Sequence, residues 1–415
     1  MKKILLFGPE VTDFLNPLAG KLKDIGYTVD LLENRKIPRN NDAITNSYSA
    51  VLNYHKIVGK KITFTEILKY MFKKDFIKDY YKEIFINCLE RKCKILKSFK
   101  ITINRQLLND RFSKVLNSYD IINFHSLSPG MLSFAKYINF DKKIILSFWG
   151  SDLYQINGIK NYYEQFEAIG RADLITVQSY EMQLVVLSKF GSAIKGKIVR
   201  ALFGINDSVF DRLDVIMNSG IDQNFLKNYS IPENKIKVTI CYCGNPVCNH
   251  IPIIDELEKI DSETKSKIHL MVPMTYGHFS QEYFEEVKSK LDRIKITYTL
   301  LKEYLPYEDV LKMRAYSNIM IMMNKSDALS QSVSEFLYAE NLLISAAWLP
   351  YSPFRLQGVF MFESDFPGLS AMVSKAVINY QSLKANLKDN PQKVKSFTAF
   401  SKIWKPWADL LESLN

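Results

Sequence analysis

Three cysteines and a histidine lie within ten residues of the sequence, in "CYCGNPVCNH" from Cys241 to His250. Thiolates and imidazoles are ligands of zinc, whose sites usually combine a cysteine pair two to four residues apart with a second, more distant pair. Here one residue separates Cys241 from Cys243, four separate Cys243 from Cys248, and one separates Cys248 from His250. This irregular spacing favours the alternative, a strand that ends in a turn and carries its cysteines as small buried apolar residues.

Gly244 and Asn245 directly follow that predicted strand, and Tyr276 ends the next predicted strand of the same half. A glycine lets the backbone approach a phosphate closely, and the start of the following helix offers unpaired N–H groups and a positive dipole end. These positions therefore predict a phosphate-binding edge in the second half of the chain.

A polar segment follows the predicted strand "IMIMMN" at the same edge. Lys325 ends this strand, and Asp327 is the predicted N-cap of a helix that begins in "DALSQSVSEF", leaving free N–H groups behind it. Glu335 lies eight residues further on, or about 12 Å along a helix, too far for the two carboxylates to share a proton. The first turns also carry three hydrogen-bonding side chains, Ser330, Gln331 and Ser332. We expect this segment to hold two parts of an elongated ligand, with a diphosphate between them.

Small or polar residues also follow the predicted strands of the first half: Gly8, Glu10, His125, Asp152 and Ser179. Because parallel strands end at one edge of a sheet, these residues are expected to form the wall of an acceptor site, with His125 or Asp152 exchanging a proton near neutral pH. Each has an alternative interpretation as a turn or helix-cap residue. The turn after Gly8 is not GxGxxG, so a dinucleotide is not indicated.

Short apolar runs alternate with helical patterns in both halves, which predicts an α/β protein of two doubly wound Rossmann-like domains. The expected first domain is 1–205, and the second is 236–390, with the more polar residues 206–235 as a linker. A chain of 415 residues, 47% of them hydrophobic, is long enough for two cores.

Positive charge is concentrated in one insertion, residues 56–117. It contains sixteen Lys or Arg against six Asp or Glu and so carries +10 of the net charge of +11. Apolar residues and lysines alternate at three- and four-residue steps over 66–99, which predicts an amphipathic basic helix. Such a helix lies on an anionic membrane surface or packs as a solvated insertion on its own domain. Nucleic acid is not indicated, because no zinc-finger spacing or RNP signature accompanies the charge.

The composition also suggests a location. We find no run of about 20 apolar residues and no signal peptide, and the odd number of five cysteines indicates reduced thiols. We therefore expect a cytoplasmic protein, peripheral on the inner face of the plasma membrane if the basic insertion binds lipid.

Motifs in the first half resemble the retaining nucleotide-sugar transferases of family GT4: "YDIINFHSL", "SFWGSDLY", "ADLITVQSYEMQLVVLSKFG" and "KIVRALFGINDSVF". In the second half, "GNPVCNH", "VPMTYG", "YLPYEDVL" and "QSVSEFL" resemble the inverting, lipid-linked 4-acetamido-4,6-dideoxy-galactose transferases of family GT56. Both resemblances imply the GT-B fold, with two domains facing across a cleft and a C-terminal helix, 391–415, that returns to the first domain. Asp327 and Glu335 fall on the E-x7-E pair of GT4, which implies contacts with sugar hydroxyls and with the ribose.

The implied function is transfer of a sugar from a nucleotide-sugar donor to a lipid-linked or other surface-glycan acceptor at the cytoplasmic membrane face. No metal or other cofactor is expected, because helix N-termini and cationic side chains can neutralise the leaving diphosphate. The usual Arg and Lys pair is missing, so Lys325 or Arg314 is the expected substitute. An inverting reaction needs a base, for which Asp152 and His125 are the candidates, whereas a retaining one does not. A sugar-nucleotide epimerase and a non-catalytic binding module are the alternatives.

Overall fold

The computed structural model describes residues 2–8, 15–33, 46–59, 63–90, 95–127 and 130–414. The chain divides into two compact units, the first made of residues 1–202 and 404–415 and the second of residues 203–403. Within the expected C-terminal segment 391–415, residues up to Ile403 thus belong to the second unit and those from Trp404 onward to the first. Among the described helices, none is both long and apolar enough to cross a bilayer.

The described strands of the first unit form one parallel sheet in the order β3-β2-β1-β4-β5-β6-β7. Their bounds are β1 Lys3–Gly8, β2 Thr28–Glu33, β3 Ala50–Asn53, β4 Ile121–His125, β5 Lys143–Ser147, β6 Leu174–Val177 and β7 Ile198–Arg200. The strand order reverses between β1 and β4. Ligands of doubly wound sheets bind beyond the carboxyl ends of the strands at such a point.

Helices flank this sheet, and their apolar faces bury its strands on both sides. Those of the first unit are α1 Leu15–Asp24, α2 Tyr54–Val58, α3 Phe64–Met71, α4 Lys74–Leu89, α5 Ile95–Leu116, α6 Ser151–Tyr154, α7 Ile159–Arg171 and α8 Tyr180–Phe190. Two 3₁₀ turns, Leu132–Tyr137 and Ser192–Lys197, complete the unit.

The second unit contains a further parallel sheet, in the order β10-β9-β8-β11-β12-β13. Its strands are β8 Ile236–Ile240, β9 Ile268–Pro273, β10 Thr297–Leu301, β11 Ile319–Met322, β12 Leu342–Ala346 and β13 Phe362–Ser364. Its helices begin with α9 Asp207–Asn218, α10 Gln223–Asn228, α11 His250–Glu258, α12 Ser262–Lys267, α13 Gln281–Arg293 and α14 Tyr307–Tyr316. They continue with α15 Gln331–Tyr338, α16 Ser352–Leu356, α17 Phe366–Ile378, α18 Tyr380–Leu387 and α19 Asn390–Thr398. The last helix, α20 Phe400–Glu412, is divided between the units, with residues up to Ile403 in the second and those from Trp404 in the first. The prediction of two doubly wound α/β domains is confirmed.

Residues 206–235, expected to form a polar linker, contain α9 and α10. Phe225 and Leu226 of α10 are buried with Met271, Leu305 and Met313 in one apolar cluster. This segment is therefore part of the core of the second unit.

The basic insertion is not one continuous helix, and the prediction of a single helix over 66–99 is wrong. α3 ends at Met71, α4 runs from Lys74 to Leu89, and α5 begins at Ile95. Ion pairs with α7 attach these helices to the unit: Arg105 of α5 joins Glu164 (2.7 Å), and Lys160 joins Glu83 of α4 (2.9 Å). One side of the insertion thus packs on its own domain, as the second of the two interpretations expects.

Candidate functional site

The turn after β8 is held in a compact shape by backbone hydrogen bonds. The Gly244 N–H donates to the Tyr276 carbonyl (2.8 Å), which connects this turn to the end of β9. The Asn245 side chain accepts the N–H of Val247 (3.1 Å) and starts a 3₁₀ turn, Pro246–Cys248. A Cβ atom at Gly244 would lie 2.5 Å from the Phe279 ring, so a larger residue there would require that ring to move.

The same turn is connected to the end of β11. The Asn249 amide donates to the Met323 carbonyl (2.7 Å), and the Lys325 N–H donates to the Val247 carbonyl (2.9 Å). The Lys325 side chain is exposed, and its ammonium makes no ion pair with any described residue. A free cation therefore lies beside the glycine-containing turn.

Asp327 has a different local structure from the predicted one. α15 begins at Gln331 with Ser330 as its N-cap, so the prediction that Asp327 is the N-cap is wrong, and the helical spacing to Glu335 does not apply. The reason is Leu329, whose positive φ of 58° interrupts a helical path. The Asp327 carboxylate instead accepts the Ser330 N–H (3.1 Å) and the Tyr351 hydroxyl (2.7 Å). Burial raises the pKa of the Asp327 carboxyl, and these two donors oppose that shift.

Glu335 is fully buried and forms an ion pair with the buried Arg314. The Gln331 amide donates to Glu335 (2.7 Å), and Arg314 donates to the Ser332 hydroxyl (3.0 Å). Burial lowers the pKa of Arg314 to about 10. Of the two expected substitutes for the missing cations, Arg314 is thus already neutralised inside the protein, whereas Lys325 is free to meet a ligand.

A cavity of about 310 Å³ opens beside this network. Its lining includes Tyr242, Tyr276, Tyr304, Leu305, Tyr307 and Arg314. The Tyr242 and Tyr276 rings are nearly parallel, with centroids 6.4 Å apart. The size lies within the usual range of small-ligand sites, and aromatic faces of this kind stack on planar bases.

Sequence reasoning identified only Tyr276 among the tyrosines of the cavity. Tyr242 and Tyr304 follow the ends of β8 and β10 by two and three residues, a signal that the sequence contained. Tyr307 begins α14 and does not directly follow a strand, but it lies with Tyr304 in the motif "YLPYEDVL" of the second half. Because tyrosine is common in ordinary cores and surfaces, only their convergence marks these residues as a site.

In the first unit, His125 ends β4 and is completely buried. Its Nδ1 accepts the indole N–H of Trp149 (3.3 Å), and its ring centroid lies 6.2 Å from that of Trp407. Burial lowers the pKa of His125 to about 3. The imidazole is therefore neutral at neutral pH, which disagrees with the expectation that it exchanges a proton there. Gly8 is adjacent, since a Cβ atom on it would lie 3.4 Å from the His125 Cβ.

Asp152 is also buried, and its carboxylate organises the loop between β5 and α6. It accepts the backbone N–H groups of Leu127 (2.7 Å), Gly150 (2.8 Å) and Trp149 (2.9 Å). Burial raises the pKa of the Asp152 carboxyl, while these donors oppose the shift. Because both carboxylate oxygens already accept hydrogen bonds, the geometry favours a positioning role over that of a base.

The other acceptor-side candidates are Ser179 and Glu10. The Ser179 hydroxyl accepts the Met182 N–H (3.1 Å) as the N-cap of α8, in line with its alternative interpretation. Glu10 lies outside the described residues.

The buried His125 should make the first unit sensitive to acid. The unfolded chain protonates this residue near pH 6.5 and the folded chain only near pH 3, so its contribution to stability is complete above pH 6.5 and is lost as the pH falls. Between pH 6 and pH 4, the unfolding free energy of the wild type should fall more steeply than that of His125→Asn, by about 1.4 kcal/mol per pH unit. Urea titrations followed by tryptophan fluorescence measure both slopes, and equal slopes would contradict the assignment.

The Arg314 and Glu335 pair should behave as a buried ion pair. Arg314→Met leaves a buried carboxylate without its countercharge and should cost about 3–5 kcal/mol of unfolding free energy. The double variant with Glu335→Met should recover most of that loss. Lys312 lies on the same helix as Arg314 and forms a more exposed ion pair with Asp222. Lys312→Met breaks this pair and should cost less than about 1 kcal/mol of unfolding free energy. Urea denaturation followed by circular dichroism compares the three variants, and an equal cost for Lys312→Met would refute this account.

No protein-family model matches the chain, and neither does any curated protein sequence. Solved structures do match over the whole length. HepE from Anabaena, in complex with UDP and glucose, superposes with a TM-score of 0.69 at 11% identity, covering 100% of both chains. A glycosyltransferase from Rickettsia africae has a TM-score of 0.67 at 13% identity, covering 99% of this chain and 98% of that one.

Sucrose-phosphate synthase from Thermosynechococcus elongatus is similar to the same degree, with a TM-score of 0.68 at 11% identity over 100% of this chain and 99% of that one. At such low identity, the likeness establishes the architecture alone. Two doubly wound units in succession, matching these proteins from end to end, give the chain the GT-B fold of glycosyltransferases.

Proposed function

We propose that this protein is a glycosyltransferase that moves a sugar from a nucleotide-sugar donor to a lipid-linked or other surface-glycan acceptor at the cytoplasmic face of the membrane. One observation carries the proposal: a tyrosine-lined cavity, a glycine-containing turn and the free ammonium of Lys325 belong to neighbouring strand ends of one sheet. A protein of the same fold, HepE, contains UDP and glucose in its crystal structure.

Each part of a nucleotide sugar has a proposed partner in the second unit. The base stacks on the Tyr242 and Tyr276 rings inside the cavity. The diphosphate lies beside the turn that contains Gly244, and Lys325 neutralises its charge. The departing nucleoside diphosphate is the charge that grows during transfer, so a cation placed there stabilises the transition state.

The ribose and sugar contacts follow from the hydrogen bonds of α15. Glu335 forms an ion pair with Arg314, so its carboxylate is not available to the ribose. Glu335 also orients the exposed Gln331 amide, and we assign the ribose contact to that amide. Asp327, held by Tyr351 and Ser330, is assigned to the hydroxyls of the transferred sugar.

The stereochemical course follows from the state of the two base candidates. His125 is a weak base because its pKa is about 3, and the Asp152 oxygens are occupied by backbone donors. An inverting reaction needs a base on the acceptor hydroxyl. The first unit therefore favours retention of anomeric configuration.

Binding of a nucleoside diphosphate should depend on Lys325. Lys325→Met should weaken UDP binding at least about tenfold, since a hydrogen bond to a charged group contributes about 1.5–3 kcal/mol, and should leave uridine binding unchanged. Lys288→Met is the matched control, an exposed lysine on α13 of the same unit. A thermal-shift comparison of UDP, GDP, CMP and dTDP first identifies the base that the protein binds. Calorimetric titration then measures the dissociation constants of the wild type and of the two variants.

Two results would contradict the proposal. Absence of stabilisation by all four nucleotides would favour a non-catalytic binding module, which the neutralised Arg314 would then explain. Liquid chromatography with mass spectrometry of the protein incubated with a panel of nucleotide sugars separates the remaining alternatives: a transferase slowly hydrolyses its donor to free sugar, whereas an epimerase returns a nucleotide sugar of unchanged mass and different retention time.

Contact with a membrane is proposed from the outer side of the basic insertion. Ten of the 25 exposed large hydrophobic side chains of the described structure lie between residues 64 and 96, and Phe72 and Leu96 are each 86% exposed. On α4 the exposed apolar residues recur at four-residue steps and so share one helix face: Ile77, Tyr81, Phe85 and Leu89. Soluble surfaces rarely expose so dense a group, which usually marks an interaction site.

Lysines accompany these apolar side chains. Four lysines of the insertion are exposed and form no ion pair with any described residue: Lys69, Lys78, Lys97 and Lys100. Free cations beside exposed aromatic and aliphatic groups match an anionic bilayer, whose interface accepts the apolar groups while its phosphates attract the ammonium groups. Such a surface would bring the enzyme to a lipid-linked acceptor.

This surface should bind anionic vesicles through both kinds of side chain. Phe72→Ser with Phe85→Ser should reduce co-sedimentation with phosphatidylglycerol-containing vesicles. Changing the four lysines to Gln should reduce it further, by about 1 kcal/mol for each lysine near the surface, and should remove its salt dependence. Phe140→Ser is the control, because Phe140 is 90% exposed in the same unit but outside the insertion. Unchanged sedimentation of the variants would refute the membrane contact.

A further inference from the structure

We propose that Cys241, Cys243, Cys248 and His250 together bind one zinc ion, at a structural site separate from the chemistry of sugar transfer. The proposal rests on the positions of these four side chains in the second unit. It does not depend on the donor or acceptor.

Three of the four side chains converge although their spacing in the sequence is irregular, and the fourth, Cys243, is adjacent to one of them. The ligand atoms of Cys241, Cys248 and His250 all lie within 4.8 Å of one another. The Cys243 sulfur lies 3.4 Å from that of Cys248. Tetrahedral zinc, with zinc–sulfur distances of about 2.3 Å and zinc–nitrogen distances of about 2.0 Å, separates its ligand atoms by about 3.5–3.8 Å. Three ligand atoms are therefore near this spacing, and Cys243, next to Cys248, is the proposed fourth ligand.

The backbone explains this convergence. Cys241 and Asn249 both have positive φ, 56° and 57°, which is uncommon for residues other than glycine. These two residues reverse the chain at the two ends of the turn, so that Cys248 returns to Cys241, whose thiol lies 3.0 Å from the Cys248 carbonyl oxygen. A count of residues along the sequence does not detect a reversal of this kind.

His250 supplies a second, independent observation. It is completely buried, and its Nε2 makes no hydrogen bond of normal geometry with any described residue, although the Cys243 backbone interacts with the ring. Its Nδ1 lies 3.1 Å from the Tyr283 hydroxyl. Buried polar atoms are rarely left without a partner, and a metal-binding histidine typically hydrogen-bonds an oxygen through its other ring nitrogen. A metal ion bound by Nε2 accounts for both features.

Zinc binding at this cluster would release protons, because the thiols bind the ion as thiolates. The hydrogen bond with Cys248 and burial raise the pKa of the Cys243 thiol, and the hydrogen bond with Cys241 and burial raise that of Cys248. On binding, the three thiols would release their protons to solvent, and the ion would form three zinc–sulfur bonds and one zinc–nitrogen bond. No oxidation state changes in this step. The ion would fix the turn that contains Gly244 and Asn245.

The test is the metal content and cobalt spectrum of the full chain. Protein purified under reducing conditions with zinc should contain about one zinc ion per chain by mass spectrometry of the elements. Replacement by Co²⁺ should give thiolate-to-cobalt charge transfer and the intense visible bands of tetrahedral coordination. Cys248→Ser should lose the ion, whereas Cys88→Ser, at an exposed cysteine of the first unit, should retain it. Chelation should lower the melting temperature of the wild type and of Cys88→Ser.

Several outcomes would overturn the proposal. One is wild-type protein that takes up neither zinc nor tetrahedral cobalt, and another is a disulfide between Cys243 and Cys248 in peptides prepared without reduction. If Cys248→Ser fails to fold, the cobalt spectrum of the wild type still decides, because it reports the number of thiolates directly. The result is also distinct from the nucleotide tests, since chain that lacks zinc but binds UDP would refute only this inference.

Discussion

The ten-residue turn from Cys241 to His250 is held by backbone hydrogen bonds on both sides, and the arrangement of the second unit depends on this constraint. One bond connects Gly244 to the end of β9, and another connects Val247 to Lys325 after β11. Because each bond joins main-chain atoms, the positions of three strand ends are fixed together. The tyrosine cavity, the free lysine and the thiol cluster all use this frame.

Around the frame, the charges are distributed in a way that decides which of them can act. Arg314 and Glu335 neutralise one another inside the protein, where an isolated charge would be costly. Their pairing orders Gln331 and Ser332 but leaves no net charge for a ligand. Lys325 has no such partner and lies in contact with water. A diphosphate would therefore meet one mobile cation in addition to the backbone.

The basic insertion shows how one helix can serve two environments. The inward face of α4 carries Glu83 and Ile86, which are almost completely buried, and its outward face carries Tyr81 and Phe85. An ordinary surface helix would have polar residues on the second face. The proposed membrane contact would account for the outward face, while the ion pair of Glu83 with Lys160 attaches the inward face to α7 of the same unit.

The sequence by itself determined the α/β class, the two doubly wound halves and most strand positions, because apolar runs such as "KKILLFG" reflect burial that local pattern records directly. It also identified Gly244 and Lys325, since residues after strands lie at one edge of a parallel sheet.

Only the tertiary structure decided which of these residues are free. Burial in the folded chain makes His125 a neutral imidazole. Asp152 accepts backbone hydrogen bonds and so holds a loop, and Glu335 forms an ion pair with Arg314. Likewise, positive φ angles at Cys241 and Asn249 bring together ligands whose spacing argued against a common site, because backbone reversal is a property of the folded chain.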